Sequence, residues 1–211
     1  MAAAGMAVAV VLASCGGTSG YTFVRSSETD AFFKVPSDWE RFNKKEILVA
    51  VDLSDSPGAN EGFKFLEAYD AAPDPSIDHV IGAELPNFPV VRAEVRQLTP
   101  VTRDRMSLQS IRNALFPIDE LFQNDQVDVL AEEDVVLDGG VHGLRLDYNL
   151  SLAGNLTAVA GNQILRVTQI GLVDPATNLF YLFWVQCTAD CFQQHQRTID
   201  QIVDSYTVKE Q

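Results

Sequence analysis

The segment at residues 179–185 constrains the fold of this chain more than any other part of the sequence. It runs Leu-Phe-Tyr-Leu-Phe-Trp-Val, so a strand formed here would carry apolar or aromatic side chains on both of its faces. A strand of this kind lies in the middle of a sheet that is covered on both sides. We therefore expect a sheet with packed layers above and below it.

The segments around this run predict that the sheet is mainly antiparallel. Residues 164–173 and 179–186 flank a polar turn at 174–178, which predicts a hairpin. Residues 127–137 and 141–152 flank Asp138-Gly139-Gly140, a hairpin turn whose glycines accept positive φ. Further strands are expected at 21–25, 31–36, 47–53 and 89–98, and a long surface loop at 71–87.

The strand expected at 89–98 alternates between apolar and charged side chains. This pattern is typical of a strand with one buried and one solvated face. Its buried side chains would be Val91, Ala93 and Val95, and its solvated side chains Arg92, Glu94 and Arg96.

Two helices are expected to pack on the sheet. Apolar side chains from Leu108 to Ile118 fall on one stripe, with Ser107 as the N-cap and Pro117 as the kink or end. A second helix at 190–204 carries an apolar face that includes His195, and residues 205–208 could close the sheet as a short strand. Together, these strands and helices predict an α+β fold, with residues 21–209 as one domain.

The N-terminus predicts export and lipid attachment. The apolar run at 2–12 is too short for a bilayer, which needs about 20 residues, but it fits the core of a signal peptide. The sequence Leu12-Ala13-Ser14-Cys15 has the form of a bacterial lipobox, so residues 1–14 would be the signal peptide and Cys15 the lipidated residue. No Lys or Arg precedes the run, which leaves an ordinary secretory signal as the alternative.

Export would place a lipid-anchored domain on the extracytoplasmic face of the cell membrane. Residues 15–20 would be a flexible tether because five of the six are Gly, Ser or Thr. The two remaining cysteines, Cys187 and Cys191, are close enough in sequence to form a disulfide outside the reducing cytosol.

The composition narrows the choice of partners. With 15 basic and 29 acidic side chains, the formal net charge is −14. Nucleic acid and anionic lipid headgroups would both be repelled as general partners, so nucleic acid is excluded. The sequence contains none of the common nucleophile, nucleotide or zinc signatures, and no cofactor, metal or catalytic residue is predicted.

Two groups of polar residues are candidates for a site. Asp70, Asp74, Asp78 and His79 lie in the expected loop, where they would be solvated acids, a cation site, or part of a hydrolase site built on Asp70, Asp74 and His79. The only basic concentration in the sequence could bind an anionic group or partner through the forked hydrogen bonds of arginine, or could simply pair with acids. It consists of Arg92, Arg96, Arg103, Arg105 and Arg112.

Three stretches of the sequence resemble PsbP-like domains. Residues 33–39, Phe-Lys-Val-Pro-Ser-Asp-Trp, are similar to the opening strand of that family and its Pro-x-x-Trp motif. Residues 140–150 are similar to its mid-domain strand, and residues 199–208 are similar to its closing helix and strand. The resemblance implies an α/β/α sandwich and includes the lipid-anchored LpqN family of actinobacteria. It also implies a non-catalytic binding or assembly factor, whose partner here would be a protein or an envelope lipid or glycolipid. A hydrolase and a purely structural envelope protein are the alternatives.

Overall fold

The computed structural model describes residues 20–152 and 163–209. The predicted signal peptide and Cys15 lie outside these ranges. The strands are β1 (Tyr21–Arg25), β2 (Ala31–Pro36), β3 (Glu40–Asn43), β4 (Phe63–Asp70), β5 (Val90–Gln97), β6 (Val127–Val136), β7 (His142–Leu152), β8 (Gln163–Asp174), β9 (Leu179–Thr188) and β10 (Thr207–Val208). The helices are α1 (Lys44–Ala50), α2 (Pro57–Gly62), α3 (Ile77–Ile81), α4 (Pro100–Asp104), α5 (Leu108–Arg112), α6 (Ile118–Gln123) and α7 (Ala189–Val203).

Seven strands form one antiparallel sheet in the order β3-β4-β5-β9-β8-β7-β6. The central position belongs to β9, and every residue from Leu179 to Cys187 is buried, as the apolar run predicts. Both predicted hairpins are present, and Gly139 and Gly140 have φ values of 72° and 84°. The predicted α+β fold with a mainly antiparallel sheet is confirmed.

One face of the large sheet, which we call the aromatic face, is covered by a second sheet and by α7. The second sheet has the order β1-β2-β10, so the last strand joins it and does not close the large sheet. Phe183 from β9 stacks on Tyr206 with ring centroids 4.4 Å apart and meets Phe33 of β2 edge-on at 5.4 Å. A disulfide joins Cys187 to Cys191, with Cα atoms 6.0 Å apart, and so ties β9 to the first turn of α7.

The opposite face, which we call the helical face, is covered by two separate groups of short helices. Helix α1 and its neighbours pack on β4 and one end of β5, around Ile47, Leu66 and Val90. Helices α5 and α6 pack on the far half of the sheet, around Ile111 and Leu146. The middle of the face, where β5 lies beside β9, is between the two groups.

Two buried positions on β8 fix the height of α5 above this face. The amide nitrogen Nε2 of Gln169 donates to the carbonyl of Ile111 at 3.0 Å. Gly171 lies beneath the same residue, and a Cβ atom at this position would be 2.4 Å from Cγ2 of Ile111. A glycine is therefore required for the close approach of α5 to the sheet.

The prediction of a strand at 47–53 was wrong, because these residues belong to α1 and the turn after it. The side chain of Asn43 accepts from the backbone amides of Lys45 and Glu46, and the carboxylate of Glu46 accepts from the amide of Asn43 in return. This capping box starts a helix. A short apolar run does not by itself distinguish a strand from a buried helix turn.

The single helix predicted from Ser107 to Pro117 is divided into two in the structure. Ser107 caps α5 as predicted, by accepting from the amide of Ser110. This helix ends at Arg112. Pro117, which was predicted to kink or end it, is instead the N-cap of α6. Asn113 stabilises the break, since its side chain accepts from the amide of Asp119 at 3.0 Å and donates to that residue's carboxylate at 2.9 Å.

The surface loop predicted at 71–87 is mostly irregular but contains α3. Across the two described ranges, none of the helices combines the length and the apolar character needed to cross a bilayer.

Candidate functional site

A groove of about 610 Å³ opens on the helical face, between the two groups of helices. We call it the Arg92 groove. Its floor is formed by Arg92 of β5 and by Trp184 and Gln186 of β9. Its apolar walls come from the end of α3 and the loop after it, from the connection between α5 and α6, and from β7 and β8. They are Ile81, Leu85, Pro86, Leu115, Phe116, Leu150, Leu152 and Leu165.

Arg92 is the only Arg or Lys among the described residues that line this groove. It lies directly across from Trp184 in the β5–β9 register, and its guanidinium carbon is 5.0 Å from the centre of the indole ring. The side chain is only 15% exposed. Burial lowers the pKa of Arg92, whereas the neighbouring carboxylate of Glu94 raises it in part. The indole face and the carboxylate hold a desolvated cation in place.

The hydrogen bonds of Arg92 are incomplete. One terminal nitrogen, Nη2, donates to Oε2 of Glu94 at 3.2 Å. The buried Nε has no hydrogen-bond partner among the described residues. Leaving a buried donor without a partner has a cost, so this atom is available to a ligand or to water in the groove.

The prediction that the charged face of β5 is solvated was wrong for Glu94. Its side chain is fully buried and forms ion pairs with both Arg92 and Arg96. Arg96 is 44% exposed, and its guanidinium carbon lies 4.9 Å from the centre of the Phe63 ring. One carboxylate thus serves two arginines, and this part of the helical face keeps one excess positive charge.

The rim of the groove next to α3 is held by a buried carboxylate. Asp70, at the end of β4, accepts from the amides of Ala72 and Ser76 at 2.9 Å. Nδ1 of His79 lies 2.7 Å from Oδ2 of Asp70, and Nε2 lies 3.5 Å from Oε2 of Glu84. These contacts fix the α3 segment, and with it one wall of the groove, to the end of the sheet.

The same residues were candidates for a hydrolase or a cation site. The structure brings Asp70 and His79 together, whereas Asp74 and Asp78 are exposed. Of the described residues that line the groove, none is a Ser, Thr or Cys that could act as a nucleophile beside His79. In the described part of the chain, no three His, Cys, Asp or Glu side chains come together in a way that could hold a metal ion.

The other predicted arginines are distributed away from the Arg92 groove. Arg103 donates to the side chain of Asn178 at 2.6 Å and pairs with Asp104, near the β8–β9 turn, and Arg105 beside it is exposed. Arg112 pairs with two acids, Asp119 and Glu132. Only Arg92 and Arg96 lie together, because they share one face of β5.

Several groove residues were not identified as site residues from the sequence. Trp184 and Gln186 belong to an apolar strand whose pattern predicts a core, and Leu115 and Phe116 lie in the break between α5 and α6. One feature of the sequence pointed to the groove: Arg92 lies on the charged face of a strand, while the segment at 179–185 carries apolar residues on both of its faces. The arrangement as a whole can hold an apolar chain along its walls and an anionic group at the guanidinium.

Comparisons with known proteins give structural neighbours of low sequence identity. No protein-family model matches the sequence, and no curated protein is similar to it at a significant level. The neighbours include cyanobacterial PsbP (CyanoP) from Synechocystis sp. PCC 6803, at 13% identity and a TM-score of 0.49, covering 94% of this chain and 99% of that one. The Ran-binding protein Mog1p of Saccharomyces cerevisiae has 12% identity and a TM-score of 0.44, covering 89% and 95%.

LpqN of Mycobacterium tuberculosis, involved in cell envelope biogenesis, has 14% identity and a TM-score of 0.42, covering 90% of this chain and 91% of that one. PsbP and LpqN, the two kinds of protein named by the sequence resemblance, are thus both among the structural neighbours. At these identities and TM-scores the likeness concerns the arrangement of elements, and no site or activity is transferred from it.

Proposed function

We propose that this protein is a lipid-anchored, extracytoplasmic and non-catalytic binding or accessory protein of the bacterial cell envelope. Its ligand is an envelope lipid or glycolipid held in the Arg92 groove. The observation that carries the proposal is a mostly apolar groove of about 610 Å³ with a nearly buried arginine at its floor. Small-molecule sites commonly have this composition, with apolar walls and a few convergent polar groups.

The groove is better suited to a lipid than to a protein partner. Its apolar walls converge on one guanidinium whose Nε has no partner among the described residues, which suits a ligand with one anionic group and an apolar body. A charge-assisted hydrogen bond to such a group would stabilise the complex by about 1.5–3 kcal/mol. The ligand would also shield Arg92 from water.

The test is a calorimetric titration of the purified domain with dodecyl phosphate and with dodecyl maltoside, both below their micelle concentrations. We expect dodecyl phosphate to bind, and Arg92→Met to weaken its binding by roughly tenfold to a hundredfold. The matched control is Arg197→Met, on the exposed side of α7 across the sheet from the groove. It should bind like the wild-type protein.

Two results would contradict the proposed site. Binding of neither amphipath would reject the groove as a lipid site. Equal binding of dodecyl phosphate by the wild-type protein and Arg92→Met would reject Arg92 as the group that recognises the ligand.

The anchor needs its own experiment, because Cys15 lies outside the described residues. We expect the mature protein from membranes to begin at Cys15 and to carry a diacylglyceryl group, detected by mass spectrometry of its N-terminal peptide. Two or more acyl chains give stable membrane attachment. If the protein instead begins at Met1 and Cys15 is unmodified, the proposals of export and of lipid anchoring are both rejected.

A further inference from the structure

A second cleft, of about 840 Å³, lies at the β3 edge of the large sheet and is lined by basic side chains. We call it the lysine cleft. It collects Arg41 of β3, Lys44 and Lys45 of α1, and Lys64 of β4. Three of the five lysines in the chain are therefore in one place. The basic concentration predicted at 92–112 does not include these residues, because Lys64 is about twenty residues away from the Lys44-Lys45 pair in the sequence.

The charge of the lysine cleft is only partly neutralised. Arg41 pairs with Glu67, and the ammonium group of Lys44 donates to the carbonyl of Phe63 at 2.7 Å. Lys45 and Lys64 are exposed, and within the described residues neither side chain forms an ion pair. With Asp55 and Glu67 as its acids, the lining keeps a formal charge of +2 (four basic minus two acidic residues).

Apolar side chains are exposed beside these cations. Val49, which lines the cleft between the α1 lysines and the following turn, is 53% exposed, and Val51 and Leu53 in that turn are 37% and 39% exposed. A surface that combines Lys with exposed aliphatic side chains is typical of segments that lie at the interface of a membrane. Each of the three side chains is more than one-third exposed.

The N-terminal tether joins the fold close in sequence to the segment that forms the cleft. The carbonyl of Gly20 accepts from the amide of Ser37, three residues before β3 begins, and β3 leads directly into α1. The five residue-to-residue steps from Cys15 to Gly20 can span at most about 18 Å. If Cys15 is in the membrane, β3 and α1 are held close to its surface.

We propose that the lysine cleft docks the anchored domain onto the anionic phospholipid headgroups of its own membrane, with Val49, Val51 and Leu53 at the headgroup boundary. The proposal rests on the proposed anchoring through Cys15. The lysine cleft and the Arg92 groove share no lining residue, so a headgroup in the cleft does not occupy the groove. It also contradicts the expectation that the acidic chain avoids anionic lipids.

Two physical effects reconcile the local attraction with a net charge of −14. Salt screens exposed charges beyond about 10 Å at 0.1 M ionic strength, so the headgroups respond mainly to the residues nearest to them. The tether makes docking intramolecular, and a contact that would be weak for a free protein can then be well populated. Each lysine near an anionic surface changes the ratio of docked to undocked domains by roughly fivefold.

The experiment attaches the domain to vesicles chemically, so that it does not depend on acylation in the cell. Cys15 is the one cysteine outside the disulfide, and a chain that begins there can be coupled to a maleimide phospholipid. Hydrogen–deuterium exchange is then measured on vesicles of phosphatidylcholine alone and mixed with phosphatidylglycerol. We expect slower exchange in peptides covering 40–53 only when phosphatidylglycerol is present.

The double substitution Lys45→Gln/Lys64→Gln should remove this protection, because two lysines account for a change of roughly 25-fold in the docking ratio. Arg197→Gln/Lys209→Gln removes the same charge from other exposed positions and should keep the protection. Loss of protection in both variants would show a response to net charge and would overturn the proposal, as would the absence of any difference between the two kinds of vesicle.

A further arm separates a membrane from a soluble anion. The uncoupled chain is mixed with glycerol phosphate, and the same peptides are followed. Unchanged exchange supports the membrane surface as the occupant, whereas protection equal to that on vesicles would assign the cleft to soluble phosphate and reject membrane docking. Loss of acylation in the cell would reject the proposed anchor without altering any of these results.

Discussion

Phe183 and Trp184 are consecutive residues of β9, yet they belong to two regions that are built differently. Phe183 lies on the aromatic face, is fully buried, and stacks on Tyr206 under the second sheet and α7. Trp184 lies on the helical face, where it supports the guanidinium of Arg92 at the floor of a groove. One face of the central strand is closed by a continuous layer, and the other is left open between two groups of short helices.

The same sheet therefore has one closed face and one face that is accessible at its centre. A continuous cover of strands and one long helix excludes water from the aromatic face. Helices of five to seven residues cover the helical face only in patches, and β5 and β9 are accessible between them. We therefore expect substitutions on the aromatic face to change the free energy of unfolding, and substitutions at the groove floor to change ligand binding.

The largest effect is expected for Phe183→Ala. Removal of a fully buried ring leaves a cavity beneath Tyr206 and Phe33, and such substitutions lower the free energy of unfolding by about 3–5 kcal/mol. Chemical denaturation measures the loss, and binding of dodecyl phosphate to the folded fraction should be unchanged. A loss below about 1 kcal/mol, or a large change in affinity, would break the distinction between the two faces.

An intermediate effect is expected from alkaline pH, through Tyr181 on the aromatic face. Burial, with Asp174 and Asp30 adding to it, raises the pKa of Tyr181 to about 12. The unfolded chain loses this proton near pH 10, so the stabilisation is complete below pH 10 and decreases as the pH rises to about 12. The loss is on the order of 2–3 kcal/mol.

The contribution of Tyr181 can be isolated with Tyr181→Phe, which removes the phenol and its hydrogen bond to the carbonyl of Thr29 at 3.0 Å. The variant should be less stable at neutral pH, and the difference from the wild-type protein should narrow between pH 10 and 12. A constant difference across this range would show that the phenol is not held protonated by the fold.

The smallest effect on stability is expected for Trp184→Phe. A phenyl ring fills much of the same space, so the free energy of unfolding should fall by only about 1 kcal/mol. Arg92 loses the indole face that positions it, and affinity for dodecyl phosphate should fall by severalfold. Calorimetry and denaturation on the same preparation give both values, and unchanged affinity would remove Trp184 from the site.

The sequence predicted the five strands of the large sheet from β5 to β6, and β1 and β2 of the second sheet, but it missed β3 and β4 at the edge of the large sheet. The apolar run at 179–185 and the turns at Asp138 and Asp174 fix the central strand and both hairpins, because each carries its own local signal. The helices were harder. Residues 47–50 form a helix because of a capping box that begins at Asn43, and the helix predicted at 107–118 is interrupted at Asn113.

The Arg92 groove could be predicted only in part. Alternation along β5 placed Arg92, Glu94 and Arg96 on one face but could not show what covers that face. The burial of Glu94 depends on its two arginines and on helices distant in sequence. The groove walls likewise come from separate segments spread from Ile81 to Leu165, so no local pattern identifies them as neighbours.

The contact of α5 with Gln169 and Gly171 has a consequence for the groove. This helix leads into Leu115 and Phe116, so the two β8 positions determine how far that wall stands from the floor. A larger residue at 171 would push α5 away from the sheet. The space above Arg92 would change although no residue of the lining had been substituted. The residue at position 171 would therefore set the width of the molecule that the groove can accept.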